Sequence, residues 1–215
     1  ISHTHWDREW YKSFQEFRMQ FVELMDNLIE LLEEDEDFKW FHLDAQTLIL
    51  KDYLKIRPEK EKRLRKLIET GRILIGPWFV QNDETLVSGE STVHNLLYGK
   101  RMCQEFNTEG MKVGYLPDQF GHICQLPQIL QGFGIDNFVF GRGLNKSEYK
   151  QTELEWQAPD GSEVLAIHMR HWYNNAQRFS EKTDHALNLL KRIKNNLEPF
   201  VTTSHYLLMN GVDHL

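Results

Sequence analysis

Residues 112 to 140 read KVGYLPDQFGHICQLPQILQGFGIDNFVF, in which short apolar segments alternate with polar ones. The pattern predicts a strand over residues 112 to 116, a helix over 125 to 133 and a second strand over 137 to 140. A strand, a helix and a strand in this order are typical of two parallel strands joined by a helical crossover.

The same alternation continues on both sides of this unit. We predict helices over residues 15 to 33, 48 to 54, 58 to 70, 91 to 106 and 184 to 196, and strands over residues 38 to 43, 73 to 75, 154 to 157, 164 to 169 and 206 to 209. The prediction is an α/β fold with mostly parallel strands, which an α/β barrel and an open sheet would both satisfy.

The composition excludes several classes of protein. Of the 215 residues, 40% are hydrophobic and 27% are charged, so the chain can bury a core and is not disordered throughout. No run of 18 apolar residues is present, which excludes a transmembrane helix of ordinary length. The net charge of -7 argues against a nucleic-acid-binding surface.

The cysteines indicate the redox compartment of the protein, and the two ends of the chain indicate how much of the protein it represents. Cys103 and Cys124 are the only cysteines and form no CxxC pair, which favours a reducing compartment such as the cytoplasm. The chain starts at Ile1 without a Met or a signal-peptide pattern, and Leu215 directly follows a polar motif. We therefore expect residues 1–215 to be one α/β domain from a longer multidomain chain.

Polar residues repeatedly follow the predicted strands. These segments are His3–Asp7, Asp44–Gln46, Gln81–Glu84, Asp118–His122, Arg142 and Asp213–His214. In α/β barrels and open α/β sheets alike, the loops after the carboxyl ends of the strands gather at one face. The sequence therefore predicts one functional site built from these loops.

The segment HTHWDREW, residues 3 to 10, contains candidate metal ligands. Residues two apart in an extended segment point the same way, so His5 and Asp7 can present a nitrogen and an oxygen to one ion. Such ligands suit zinc. The alternative is a surface loop with ordinary histidines.

Two aspartates in different loops are candidates for catalysis. Asp118 lies in YLPDQFGH and suits a nucleophile, a base or a metal ligand, although it could also cap the following helix. Asp213 lies in NGVDH. Two such carboxylates are the minimum set for glycosidic cleavage, with one as nucleophile and the other as acid/base, but many hydrolases contain such a pair.

Other positions could support binding. Arg142 stands between two glycines and could hold an anionic group or form a structural ion pair. Trp78 offers a surface for stacking on a sugar, or a core side chain, and Asp83 offers an acceptor for a hydroxyl group. Asp44 and Gln46 could face the site.

Three motifs carry a resemblance to a known family. HTHWDREW, YLPDQFGH and NGVDH occur in this order in family 38 glycoside hydrolases, the α-mannosidases, and the whole chain resembles most of their N-terminal catalytic domain. Gly76 to Trp78 and Leu43 to Thr47 resemble the bacterial branch, which includes mannosylglycerate hydrolases. The resemblance implies a distorted, incomplete β/α barrel of the glycoside hydrolase/deacetylase type.

The resemblance also implies a mechanism, that of a retaining exo-α-mannosidase with one zinc ion. His5 and Asp7 match two zinc ligands, and Asp118 matches the nucleophile, which also binds zinc. Asp213 matches the acid/base. The fourth ligand of the family, a His, would lie beyond Leu215.

Further residues of the family's site have matches in this chain. Trp10 matches the aromatic residue under the sugar, and Phe120 matches the aromatic residue after the nucleophile. Arg142 matches an arginine that contacts the nucleophile's carboxylate. Where eukaryotic members usually read NDPGW, residues 6 to 10 read WDREW, so the sugar pocket can differ in shape.

The expected partner is an α-mannoside, with no nucleic acid and no membrane, and homo-oligomerisation stays open. Three alternatives remain. One is a hydrolase of mannosylglycerate or its 6-phosphate, and another is a zinc-dependent sugar deacetylase on a similar barrel. The third is a mannose-binding module without turnover. The presence of both Asp118 and Asp213 argues against this alternative.

Overall fold

The computed structural model describes residues 1–214, which fall into two units. The amino-terminal unit comprises residues 2–81, 94–111 and 212–214. The sheet unit comprises residue 1, residues 82–93 and residues 112–211. Among residues 1–214, no helix is long and apolar enough to cross a membrane.

The amino-terminal unit packs helices beside a pair of short parallel strands. Its elements are α1 (Phe14–Glu34), β1 (Phe41–His42), α2 (Leu48–Leu54), α3 (Glu61–Glu69) and β2 (Ile73–Leu74). Strand β1 pairs with β2 in the register Phe41 to Ile73. The next helix, α4 (Gly89–Glu105), begins in the sheet unit and ends in the amino-terminal unit.

Helix α1 shows why this unit folds as it does. At its start the Glu16 carboxylate accepts the Ser13 backbone N–H at 3.0 Å, an arrangement that satisfies a free donor at the helix end. Apolar residues recur at helical spacing and form a buried stripe, which comprises Phe17, Phe21, Met25, Leu28 and Leu32. This stripe is the centre of the unit's core.

The sheet unit contains a four-stranded sheet in the order β3-β4-β6-β5. Its elements are β3 (Gly114–Leu116), α5 (Leu126–Gly132), β4 (Asn137–Phe140), β5 (Glu153–Gln157), β6 (Glu163–His168) and α6 (Thr183–Leu197). β3 and β6 both pair with β4 in parallel, and β5 pairs with β6 as an antiparallel hairpin. The expected α/β fold with mostly parallel strands is confirmed, and the strands of residues 1–214 form two open sheets rather than a closed barrel.

One predicted strand is wrong. Residues 206 to 209 are apolar, yet they form no strand. The Asn175 side chain bonds to this segment instead: it accepts the Met209 N–H at 2.8 Å and donates to the Leu207 carbonyl at 3.0 Å. These bonds satisfy backbone groups that a strand would pair with a neighbouring strand. That residues 1–215 are a single domain stays a prediction.

Candidate active site

His5 and Asp213 lie on neighbouring extended segments of the amino-terminal unit. The His5 N–H donates to the Val212 carbonyl at 3.1 Å, and the His214 N–H donates to the His5 carbonyl at 3.0 Å. These bonds make Asp213 the direct pairing partner of His5 in a parallel bridge. Because neighbouring extended segments run about 4.8 Å apart, the acid/base candidate is adjacent to the ligand candidate.

The separation of His5 and Asp7 fits zinc. His5 Nε2 lies 3.5 Å from Asp7 Oδ1. Two ligand atoms, each about 2.1 Å from a tetrahedral ion, are about 3.4 Å apart. Within the described part of each unit, no group of three His, Cys, Asp or Glu side chains is arranged to hold a metal ion, so a zinc site that uses this pair would need further ligands.

The other ring nitrogen of His5 faces a carboxylate. His5 Nδ1 lies 3.2 Å from both oxygens of Asp44, which is fully buried. Burial alone would lower the pKa of His5, but the charge and hydrogen bond of Asp44, with a smaller contribution from Asp7, raise it well above its ordinary value. Burial would raise the pKa of Asp44, yet His5 and the donors around the carboxylate lower it on balance.

The surroundings of Asp44 hold it firmly. Its Oδ2 accepts hydrogen bonds from the Trp6 N–H at 2.8 Å and from Gln46 Nε2 at 2.9 Å. Gln81 Nε2 donates to the Asp44 carbonyl at 2.7 Å. The backbone at Asp44 and at Ala45 is left-handed, with φ of 49° and 56°. Non-glycine residues rarely adopt this conformation, so the local network sustains a strained turn.

A second histidine supports the Asp7 segment. His214 Nε2 lies 3.2 Å from the backbone N of Asp7, and the imidazole stacks on Phe17 with 4.1 Å between ring centroids. Burial lowers the pKa of His214, against the opposing charge of Asp7. Sequence analysis assigned His214 no role of its own, and its position beside Asp213 in NGVDH was the only available signal.

The two tryptophans expected at the sugar differ completely in exposure. Trp10 is 66% exposed, with its ring against Tyr11 at 4.9 Å. Trp78 is 0% exposed, and its backbone N–H donates to the Ala45 carbonyl at 3.1 Å. The stacking role predicted for Trp78 is therefore wrong, because a fully buried ring has no free face for a sugar. The ring fills the core instead.

In the sheet unit, Asp118 lies two residues after the end of β3 and forms an ion pair with Arg142, whose Nε donates to the Asp118 carboxylate. The guanidinium of Arg142 lies between two rings, 4.8 Å from the centroid of Phe120 and 4.7 Å from that of Trp172. Cation–π contacts of this kind fix the plane of the guanidinium. Asp118 is not a helix cap, because α5 begins after Gln125.

Close approach of the backbone makes this ion pair possible. A Cβ added at Gly141 would lie 2.4 Å from the Pro117 carbonyl oxygen and 3.1 Å from the Trp172 ring. Only glycine fits there, so the chain before Arg142 runs directly against the chain before Asp118. The glycines around Arg142 were noted in the sequence, but Trp172 was not.

Two acidic residues fix the loop that carries Asp118. Asp83 Oδ1 accepts the Phe120 N–H at 2.9 Å, so this carboxylate, expected to bind a sugar hydroxyl, also binds protein backbone. Glu84 Oε2 accepts the Ile123 N–H at 3.1 Å, and Oε1 lies 2.8 Å from His122 Nδ1. His122 Nε2 in turn lies 3.2 Å from the Arg142 carbonyl. The side chains of Glu84 and His122 are buried, and sequence analysis did not pair them.

The comparisons with known proteins agree with one another. The family model for the glycosyl hydrolases family 38 N-terminal domain matches residues 1–215. A "Putative mannosylglycerate hydrolase" of Halalkalibacterium halodurans is 43% identical over 225 residues, covering 100% of this chain and 25% of that protein.

Solved structures show the same relation. An α-mannosidase from Enterococcus faecalis V583 superposes with a TM-score of 0.94 at 38% identity, over 100% of this chain and 24% of that one. A 4-alpha-glucanotransferase from Thermococcus litoralis superposes with a TM-score of 0.64 at 16% identity, covering 99% of this chain and 32% of that one, which shows a shared fold alone. The chain spans about a quarter of the length of the first two relatives.

Proposed function

Because this chain belongs to family 38 of the glycosyl hydrolases, we propose that its protein hydrolyses terminal α-mannosides with retention of configuration and with one zinc ion. The observation that carries the proposal is the family match across residues 1–215. This activity is that of the whole protein, whereas the chain spans about a quarter of the length of its relatives.

We propose His5, Asp7 and Asp118 as zinc ligands, with a fourth ligand outside this chain. The 3.5 Å between His5 Nε2 and Asp7 Oδ1 supports the first two. A bound zinc ion would act as a Lewis acid toward the hydroxyl groups of the mannose ring.

Asp118 is proposed as the nucleophile. Its carboxylate would attack the anomeric carbon and form a covalent mannosyl-enzyme as the bond to the leaving group breaks. Arg142 supports this role because its Nε holds one carboxylate oxygen, Oδ1, and so orients the other.

Asp213 is proposed as the acid/base. It would give a proton to the glycosidic oxygen in the first step and take a proton from the attacking water in the second. Its exposed position and its pairing with His5 support this role.

Trp10 and Phe120 are proposed to contact the sugar. Both are well exposed aromatic side chains, and Phe120 is 75% exposed. Aromatic faces of this kind suit the apolar side of a sugar ring. Asp83 is proposed to accept a hydroxyl hydrogen bond through Oδ2, because Oδ1 already binds the Phe120 N–H.

The test uses the full-length protein and an aryl α-mannoside. Proton NMR of the first product should show the α-anomer, and zinc analysis should give one ion per chain. A β-anomer as first product would replace retention with inversion. Acetate release from acetylated sugars without mannoside cleavage would favour a deacetylase, and binding without turnover would favour a mannose-binding module.

A second candidate is hydrolysis of mannosylglycerate or its 6-phosphate. The 43% identity to the relative from Halalkalibacterium halodurans favours it. The two candidates share the chemistry at the mannose ring and differ in the aglycone. Comparison of kcat/KM for mannosylglycerate, its 6-phosphate and an α-mannobiose decides between them.

We also propose that the protein acts in the cytoplasm. Cys103 and Cys124 are both free, which is typical of a reducing compartment. Fractionation of the source cells, followed by immunodetection of the protein, tests this location.

A further inference from the structure

Asp44 is a carboxylate in an unusual place. Its side chain is fully buried, and a buried charge is costly unless it is paired and hydrogen-bonded. The pairing is with His5, and the hydrogen bonds come from the Trp6 N–H and the Gln46 amide. No other feature of the proposed mechanism uses this residue.

The two ring nitrogens of His5 face different partners. Nδ1 lies 3.2 Å from the Asp44 carboxylate, and Nε2 lies 3.5 Å from Asp7. A neutral imidazole carries one proton, and the hydrogen bond at one nitrogen decides where that proton stays. A proton on Nδ1, held by Asp44, leaves the lone pair of Nε2 directed toward the Asp7 side.

The backbone at Asp44 adds an independent observation. Its φ of 49° lies in the left-handed region, where glycine is the unstrained choice. Gly76, with φ of 68° in the same unit, shows the chain using glycine for such a backbone. At position 44 the chain keeps a carboxylate in spite of the strain, as residues at functional sites often do.

The orientation of the carboxylate is fixed as well as its position. Both the Trp6 N–H and Gln46 Nε2 donate to Oδ2, so the group cannot rotate without losing both bonds. Gln46 Nε2 also donates to the Trp6 carbonyl at 2.9 Å, and Gln81 holds the Asp44 carbonyl. The carboxylate is thus set against His5 before any ion binds.

We propose that Asp44 is a positioning residue for the metal centre, which fixes the ring orientation and the tautomer of His5 so that Nε2 binds zinc. The inference rests on the proposed function, since it takes His5 as a zinc ligand. Carboxylate partners of ligand histidines commonly contribute 10–100-fold to metal affinity.

The first variant is Asp44→Asn in the full-length protein. Two donors already face Oδ2, so the new amide should put its oxygen there and its NH₂ toward His5. That NH₂ would donate to Nδ1 and move the ring proton to Nε2, which blocks zinc. The matched control is Asp26→Asn, which removes a charge that pairs with Tyr53 and Arg57 instead.

The measurement is zinc affinity, obtained by competition with a chromophoric chelator. We expect Asp44→Asn to weaken zinc binding about 10–100-fold while the control changes it less than about twofold. Cobalt(II) substituted for zinc should show a weaker visible absorption band in Asp44→Asn than in the wild type. Unchanged affinity and an unchanged cobalt spectrum overturn the proposal.

A second variant, Asp44→Gly, covers the case in which Asp44→Asn does not fold. Glycine suits the left-handed backbone and offsets part of the cost of the hydrogen bonds lost with Asp44, so the zinc-free variant should still fold, with a melting temperature below that of the wild type. Zinc affinity should still fall about 10-fold or more, and added formate should restore part of it. Lower stability with wild-type zinc affinity would assign Asp44 a purely structural role and overturn the inference.

The outcomes separate this inference from the proposed function. A wild-type protein that binds no zinc contradicts both. A wild-type protein that binds zinc, with variants that bind it equally well, contradicts only the role of Asp44.

Discussion

His5 and Asp118 are fixed in opposite ways. His5 is 3% exposed, and its partner Asp44 is buried on a left-handed backbone. The Asp118 side chain is 26% exposed and pairs with the Arg142 side chain, which is 40% exposed and also lies against two aromatic rings. The first arrangement is part of the folded core, whereas the second is assembled from loops near the surface. Substitutions around His5 should therefore affect folding together with function, whereas substitution of the Asp118 side chain itself should affect function with little change in stability.

The largest expected effect is that of Asp118→Ala. Loss of the proposed nucleophile should lower kcat for an aryl α-mannoside by about 10⁴-fold or more. The free energy of unfolding should change by less than about 1 kcal/mol, because the side chain is partly exposed. Activity assays and urea unfolding of the full-length protein measure the two quantities.

Asp136→Ala, an exposed carboxylate in the same unit, is the control and should leave both quantities unchanged. A large loss of stability in Asp118→Ala would remove the contrast between the two surroundings.

The two tryptophans sharpen the contrast further. Trp78→Ala should destabilise the protein by about 3–5 kcal/mol, because it empties a fully buried site. Trp10→Ala should change the free energy of unfolding by less than about 0.5 kcal/mol and raise KM, because its exposed ring is proposed to contact the sugar. Denaturant unfolding and steady-state kinetics distinguish these results, and equal effects on stability would contradict the assignment.

Low pH should reduce the stability of the sheet unit through His168, whose side chain is buried. Burial lowers the pKa of His168 to about 4, while the Gly141 carbonyl opposes the shift. The unfolded chain would bind a proton near pH 6.5, so stability is complete above that pH and falls as the pH drops toward 4. The loss attributable to His168 should reach about 3 kcal/mol.

Unfolding measured between pH 7 and 4 tests this value. His168→Gln can still donate to the Gly141 carbonyl and should flatten the pH dependence, whereas the exposed His185→Gln should not. An equal slope in His168→Gln and the wild type would show that other groups cause the acid sensitivity.

A smaller effect than that of Trp78→Ala is expected in the loop that carries Asp118. Glu84→Gln should cost about 1–3 kcal/mol of stability, because it disturbs a buried contact with His122 and the bond from the Ile123 N–H. The kcat should fall less than tenfold, since Arg142 still holds Asp118. A loss as large as that of Asp118→Ala would mean that Glu84 takes part in the chemistry itself.

Much of the fold could be predicted from the sequence because hydrophobic periodicity is local. Strand β4 and helix α2 lie at their predicted bounds, and α1 extends one residue beyond its prediction at each end. The strand predicted over residues 206 to 209 failed because the competing partner, Asn175, lies more than 30 residues away. Hydrophobic periodicity alone does not reveal hydrogen bonds between a side chain and backbone groups that lie so far apart in the sequence.

The site was predictable to a lesser degree. The contact of Arg142 with Asp118 came from the family resemblance, and the structure places the two side chains together. For Trp78 the sequence left a sugar-stacking role and a core role open, because aromatic composition does not separate a core ring from a surface ring, and the structure buries the ring completely. The pairing of Glu84 with His122 was missed because it joins residues 38 positions apart.

The ring of Phe120 has a consequence for how such an enzyme diversifies. It is proposed to face the sugar, and it also lies against the Arg142 guanidinium that orients Asp118. A substitution at position 120 therefore changes substrate preference and turnover together, which is a poor starting point for gradual adaptation. The Trp10 ring packs against Tyr11, so its proposed contact with the sugar is not combined with a contact to the guanidinium that orients Asp118. We expect libraries randomised at position 10 to yield more active variants with new specificity than libraries randomised at position 120.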